Sequence, residues 1–237
     1  MQITAESLAY WYLRLNGCLT ITNFIVHPEW KREGVRTDAD IVGVRFPHRQ
    51  EMVRRPLVDD PWFSSHKRPL LVIAEVKKGR CALNGPWTDP NRKNVAKVLS
   101  AMGLYPGSQL DKVAAALYKK GTYKGAGRVA SLMTFGATES QEVVERYPDV
   151  PQVVWPKVKE FIYRRFKDYV REKAWHQTWD TNGEGLYELV KAVGNLEGFC
   201  QALEIVSNGQ TARATRCRSG SSESGCVFRG MPINIPG

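Results

Sequence analysis

Residues 70–80, LLVIAEVKKGR, constrain what this chain can fold into more than any other stretch. Leu70 to Ala74 is an unbroken apolar run containing Val72 and Ile73 and opened by Pro69, which predicts a short buried strand. Charge follows at once. Glu75 and Lys77 lie two apart, so on a strand they project from one face while Val76 points back into the core. A carboxylate and an ammonium at the end of a buried strand are costly unless something uses them.

The pattern around this strand gives an order of elements. Residues 4–16 place Leu8, Trp11, Tyr12 and Leu15 at helical spacing with Gly17 as a stop, and Glu6 falls in the first turn. LTITNFIVH (19–27) and DADIVGVRF (38–46) read as the first two strands. The Pro- and charge-rich segment between the second strand and Leu70 reads as a long connection that extends the hairpin. After GRCALNGPWTDP, a Gly/Asn/Pro patch, NRKNVAKVLSAMGL and QLDKVAAALYKKG carry helical periodicity. GTYKGAGRV reads as a turn, and GRVASLMTFGAT (127–138) as a fourth strand.

A later helix, 156–173, starts at Pro156 and sets Val158, Phe161, Ile162, Phe166, Tyr169 and Val170 on one side. Lys157, Lys159, Arg164, Arg165, Lys167, Arg171 and Lys173 make the other side basic, either a solvated face or a phosphate-contacting one. The resulting division is a core over 1–150, a helical extension over 151–206 and a flexible, Ser/Gly/Arg-rich tail over 207–237. The fold class is α/β, with a central mixed sheet flanked by helices.

Thirty-four Lys+Arg against 24 Asp+Glu give a formal charge of +10, which favours a polyanionic partner such as nucleic acid and also serves plain solubility. The five cysteines include no C-x-x-C pair, so neither a zinc site nor a dithiol couple is indicated. The N-terminal segment carries Glu6 and Arg14 inside its apolar pattern, which suits neither a signal peptide nor a membrane span and predicts a cytoplasmic protein. His27, His48, His66 and His176 lack metal-ligand spacing, and the tryptophans, Trp87, Trp155, Trp175 and Trp179 among them, read as core or helix-docking residues.

Three acidic positions answer the question that Glu75 raises. Asp38 and Asp40 share a strand face, and an antiparallel pairing of their strand with residues 70–78 brings Asp40 opposite Glu75. Carboxylates that close repel. A divalent cation relieves them, and oxygen ligands without His or Cys favour Mg²⁺ or Mn²⁺ over zinc. The alternative is a structural charge cluster without metal, at a desolvation cost.

Glu6 on an opening helix, Asp40 closing TDAD before an apolar strand, and Glu75-Val76-Lys77 after another resemble the PD-(D/E)XK nuclease superfamily, the restriction-endonuclease-like fold. The likeness covers residues 3–138 and includes the αβββαβ order. Ala39 stands where that family often has proline, and no Q-x-x-x-Y follows the lysine, so the subfamily is open. The resemblance implies Asp40, Glu75, the Val76 carbonyl and Glu6 as metal ligands, with Lys77 as the catalytic lysine. It implies an Mg²⁺- or Mn²⁺-dependent nuclease acting on DNA, with a second copy or a separate recognition subunit as further partners. Arg36, Arg45, Arg80, Arg92, Lys93 and Lys97 are the candidate phosphate contacts. The other reading is a nucleic-acid-binding or scaffold protein that keeps the fold without cutting.

Overall fold

The computed structural model describes residues 1–27, 37–52, 55–125, 127–174 and 179–206. The chain opens with β1 (Gln2–Thr4) and α1 (Ala5–Leu15). Thr4 caps α1 by accepting from the Ser7 amide at 3.2 Å, Glu6 and Arg14 suit the two ends of the helix dipole, and left-handed Gly17 follows its end. Next come β2 (Leu19–Val26), β3 (Thr37–Arg45), α2 (Pro61–Ser65), β4 (Leu70–Val76) and α3 (Gly85–Thr88). Two amphipathic helices, α4 (Asn94–Met102) and α5 (Leu110–Lys120), end on left-handed Gly103 and Gly121. They are followed by β5 (Thr122–Lys124), β6 (Val129–Gly136), α6 (Gln141–Arg146), β7 (Gln152–Val154) and α7 (Trp155–Asp168). The described chain finishes with α8 (Thr181–Val193), α9 (Leu196–Ala202) and β8 (Glu204–Val206).

The main sheet runs β2-β3-β4-β6-β5, with β7 pairing the end of β6. Its β2-β3-β4 part is antiparallel, β4 and β6 are parallel, and β5 returns antiparallel on β6, so the sheet is mixed. Both central strands, β4 and β6, are buried along their whole length, because helices cover both faces. Alternation sorts β4 between two cores. Leu70, Val72, Ala74 and Val76 join Leu8, Trp11, Tyr12, Val158, Ile162 and Phe166 on one side, while Leu71 and Ile73 meet Val95, Leu99, Val113 and Leu117 on the other. The chain is thus α/β, with a mixed central sheet between helical layers.

Several expectations are corrected here. Within residues 151–206, α7 packs on α1, α8 and α9 pack on α7, and together they supply much of the core that holds Leu8, Trp11 and Tyr12. The first and last described strands also pair in parallel, Gln2 with Glu204 and Thr4 with Val206, in a separate two-stranded sheet. GTYKGAGRV is not only a turn, since Thr122–Lys124 forms β5. The connection before β4 holds α2, capped by Asp60, rather than an extension of the hairpin among the described residues. Arg165, assigned to the basic face of the late helix, is 3% exposed. The tail lies outside the described residues. No helix among those described is long and apolar enough to cross a membrane.

One tight contact fixes α8 against α1. Asp180 caps α8 by accepting from the Gly183 amide at 2.7 Å, and it also accepts from the Trp11 indole at 3.2 Å. A Cβ on Gly183 would stand 1.9 Å from Trp11 Cζ2. Gly183→Ala is therefore expected to lower stability by about 1–3 kcal/mol through overpacking, read from the midpoint of urea unfolding. An unchanged midpoint would show that α8 can shift without loss.

Candidate active site

The candidate site forms where β3 leaves β4 and its pairing with β2 is interrupted for one residue, Asp40. Its ladder with β4 runs from Arg45↔Leu70 to Ile41↔Ala74 and stops, so one further step in that register sets Asp40 against Glu75. Its ladder with β2 pairs Thr22 with Ile41 and Phe24 with Ala39 but skips Asn23 and Asp40. Asn23 carries φ +51°, a left-handed kink in β2 beside the released residue.

Asp40 uses that freedom. The Lys77 amide donates to Phe135 O on β6 at 3.0 Å, so by strand alternation the Val76 amide turns the other way, toward β3. There it donates to Asp40 Oδ2 at 2.6 Å, a carboxylate where a sheet would ordinarily offer a carbonyl. The Asp40 carboxyl is pushed up to about 6, first by burial and then by the charge of Glu75; the Val76 amide and Lys77 oppose this, and Glu6 adds the smallest upward push.

Glu75 is 4% exposed and held from three sides. Lys77 Nζ and Asn84 Nδ2 donate to Oε1, and the Trp87 indole donates to Oε2 at 2.6 Å. Pro86 in the first turn of α3 helps set up this short helix, which carries buried Trp87 under the end of β4. Lys77 itself keeps 30% of its side chain exposed, so it joins the buried carboxylate to solvent.

The loop beyond Lys77 is pinned to the end of β6. Cys81 N donates to Thr138 O at 2.9 Å, and the Thr134 hydroxyl bonds both the amide and the carbonyl of Ala82. Gly136 is required for this approach, because a Cβ there would lie 2.6 Å from Cys81 N and from Gly79 O.

The sequence-predicted residues divide as follows. The geometry brings Asp40, Glu75, Val76 and Lys77 together, and half-buried Glu6, in the first turn of α1, acts on Asp40 through its charge. Arg80, Arg92 and Lys93 are exposed in the segment after β4, with Arg92 lying over Gly85 beside Asn84, and Lys97 is half-buried on α4. Arg45 is a correction. It is 4% exposed and donates to Asn16 O, Phe63 O and Asp59, so its guanidinium cannot meet a phosphate from solvent. Arg36 lies outside the described residues.

Among the described residues no three His, Cys, Asp or Glu side chains are grouped to hold a metal ion. The acids in direct reach are the Asp40 and Glu75 pair. The donors Asn84 and Trp87 were missed by sequence reasoning, and the only signal was the N-G-P-W spacing shortly after the E-V-K. No protein-family model, no curated protein and no solved structure matches this chain.

Proposed function

We propose that this chain is a metal-dependent nuclease with a restriction-endonuclease-like core, hydrolysing phosphodiester bonds in DNA. One observation carries the reading: Asp40 is docked on the Val76 amide next to buried Glu75, which accepts from Lys77, where β3 leaves its ladder with β4. The donor set fits a hard cation. Mg²⁺ keeps several waters and needs only one or two protein carboxylates, and Asp40 and Glu75 lie close enough for the charge of Glu75 to act on Asp40. Asp40, Glu75 and the Val76 carbonyl would hold the ion, with Glu6 nearby. When bound, it would polarise the scissile phosphate and acidify a water.

The chain's own groups do the rest. Lys77, fixed by Glu75 yet open to solvent, orients the attacking water and steadies the charge that develops on the phosphate. Arg80, Arg92 and Lys93 lie on the segment that follows Glu75 and supply backbone contacts.

A second reading, a nucleic-acid-binding protein that retains the fold without cutting, is favoured by the saturation of Glu75. Both of its oxygens already accept hydrogen bonds, three in all, without a metal. Cleavage of supercoiled plasmid, linear duplex, single-stranded DNA and RNA, with Mg²⁺, Mn²⁺ or EDTA, separates the two. The nuclease reading expects metal-dependent cutting that Lys77→Ala slows about a hundred- to a thousandfold. Binding without cutting on every substrate, unchanged in Lys77→Ala, would establish the second reading instead.

A further inference from the structure

A cavity of about 650 Å³, within the size range of small-ligand sites, opens beside β5 and the start of β6. Its floor is the sheet: the register sets Thr122 against Ser131 and Lys124 against Val129, so all four side chains share one face. Trp62 of α2 and His66 just beyond it form one wall, and Pro148, Val150 and Pro151 form the other. Left-handed Gly121 lets that second wall close in, because a Cβ there would stand 2.0 Å from Val150 Cγ2. Val129 pairs with Leu70, five residues before Glu75, so the cavity lies about 17 Å along β4 from the candidate active site.

The polar groups of this cavity are mainly donors. Lys67, Arg68 and Lys124 line it against one carboxylate, Asp149, which leaves a charge of +2. Among the described residues Lys67 donates to Ser64 O and Arg68 to Gly125 O, neutral partners that leave both charges in place, while Lys124 stands 3.8 Å from Asp149. His66 adds no charge at neutral pH. Its imidazole is held below its ordinary value, first by burial; the bond to Trp62 O opposes this, and the charges of Lys124 and Arg45 add to it. Two further groups are unmatched. Thr122 is 9% exposed, and neither its hydroxyl nor the Trp62 indole N–H meets a hydrogen-bond partner among the described residues. The Ser131 hydroxyl donates to Leu132 O at 2.8 Å, which leaves its oxygen able to accept.

We propose that this cavity binds a mononucleotide, with its phosphate among Lys67, Arg68 and Lys124 and its base against Trp62 and the wall from Pro148 to Pro151. A phosphate monoester carries about −1.5 to −2 at neutral pH, which matches the charge of the lining. The Thr122 and Trp62 donors and the Ser131 oxygen suit the mixed donors and acceptors of a base and ribose, while the apolar walls cover the ring. A nucleic-acid strand is the competing occupant, since Lys119 and Lys120 line a neighbouring cavity. The buried Thr122 hydroxyl favours a ligand that enters. This binding does not depend on cleavage at Asp40 and Glu75.

Equilibrium dialysis of the full-length protein against adenosine 5′-monophosphate and uridine 5′-monophosphate, in EDTA, tests the assignment. Saturable binding of at least one of them is expected, with inorganic phosphate about tenfold weaker or more. Lys67→Glu, a change at an exposed position, should weaken binding about tenfold or more. Thr122→Val, which keeps the side-chain shape and removes the hydroxyl, should weaken it about fivefold. Lys77→Ala should bind as the wild type does. No saturable binding of either mononucleotide, inorganic phosphate binding as tightly, or binding lost in Lys77→Ala but kept in Lys67→Glu would each overturn the proposal. Binding of a single-stranded oligonucleotide alone would assign the surface to nucleic acid and overturn it too.

Discussion

Asp59→Ala is expected to cost the fold about 3–5 kcal/mol, because it strands two buried guanidinium groups. Asp59 accepts from Arg45 at 2.7 Å, from Arg165 at 3.0 Å and from Arg49 at 3.1 Å. Arg45 and Arg165 are 4% and 3% exposed, so neither can regain water when the carboxylate goes. Their other donors bond carbonyls, Arg45 those of Asn16 and Phe63 and Arg165 those of Leu15 and Val58, and the next carboxylate to Arg165 is that of Glu51 at 3.8 Å. Carbonyl oxygens accept hydrogen bonds but do not neutralise charge. The hub therefore joins the end of α1, the end of β3, the segment before α2 and the last turn of α7, and its loss should loosen all four. Urea unfolding gives the measurement, and a loss below about 1 kcal/mol would show that the carbonyls suffice without the carboxylate.

Asp40→Asn should have the opposite effect on stability while removing activity. The Asp40 carboxyl sits at about 6 in the folded protein against an ordinary value of 3.8, so folding takes up a proton between those values. The stability this group lends is fully present below about pH 4 and is lost as pH rises through about 6. Asparagine has no charge to bury and can still accept from the Val76 amide. The variant should match the wild type near pH 4 and exceed it by about 1–2 kcal/mol at pH 7.5, after allowing for partial exposure. Millimolar Mg²⁺ should raise the melting temperature of the wild type at pH 7.5, less so as pH falls through 6, and leave the variant unmoved. A variant no more stable than the wild type at pH 7.5 would mean that burial and Glu75 do not strain Asp40.

Much of this arrangement could be read from periodicity. α1 and α5 carry a pattern near 3.6, β2 and β3 alternate in part, and β4 and β6 are short apolar runs bounded by turn residues, and all six lie close to where these signals put them. The alignment of Asp40 with Glu75 and Lys77 follows from strand alternation together with an antiparallel pairing of the two strands. The three-residue strands β1, β5, β7 and β8 are too short for any period to register. A helical pattern also tells which side of α7 is apolar but not what covers it, so residues 151–206 read as an extension of a core they help to build. The buried arginines did leave a trace. Arg165 stands three residues after Ile162 and seven after Val158, inside the apolar stripe, and Arg45 shares strand parity with buried Ile41. Asn84 and Trp87 reach Glu75 from a loop and a four-residue helix, where no repeat marks which side chain turns inward.

The pairing of β1 with β8 bears on how the molecule comes to be made. Gln2 meets Glu204, 202 residues further on, and the Met1 amino group donates to Ala202 O. During synthesis α1 emerges well before α7 and α8, which form part of the surface that receives Leu8, Trp11 and Tyr12. Part of the apolar face of α1 therefore stays uncovered until α7 and α8 have been made. Closure of the fold is accordingly a long-range step, of the kind whose loop-closure entropy slows folding.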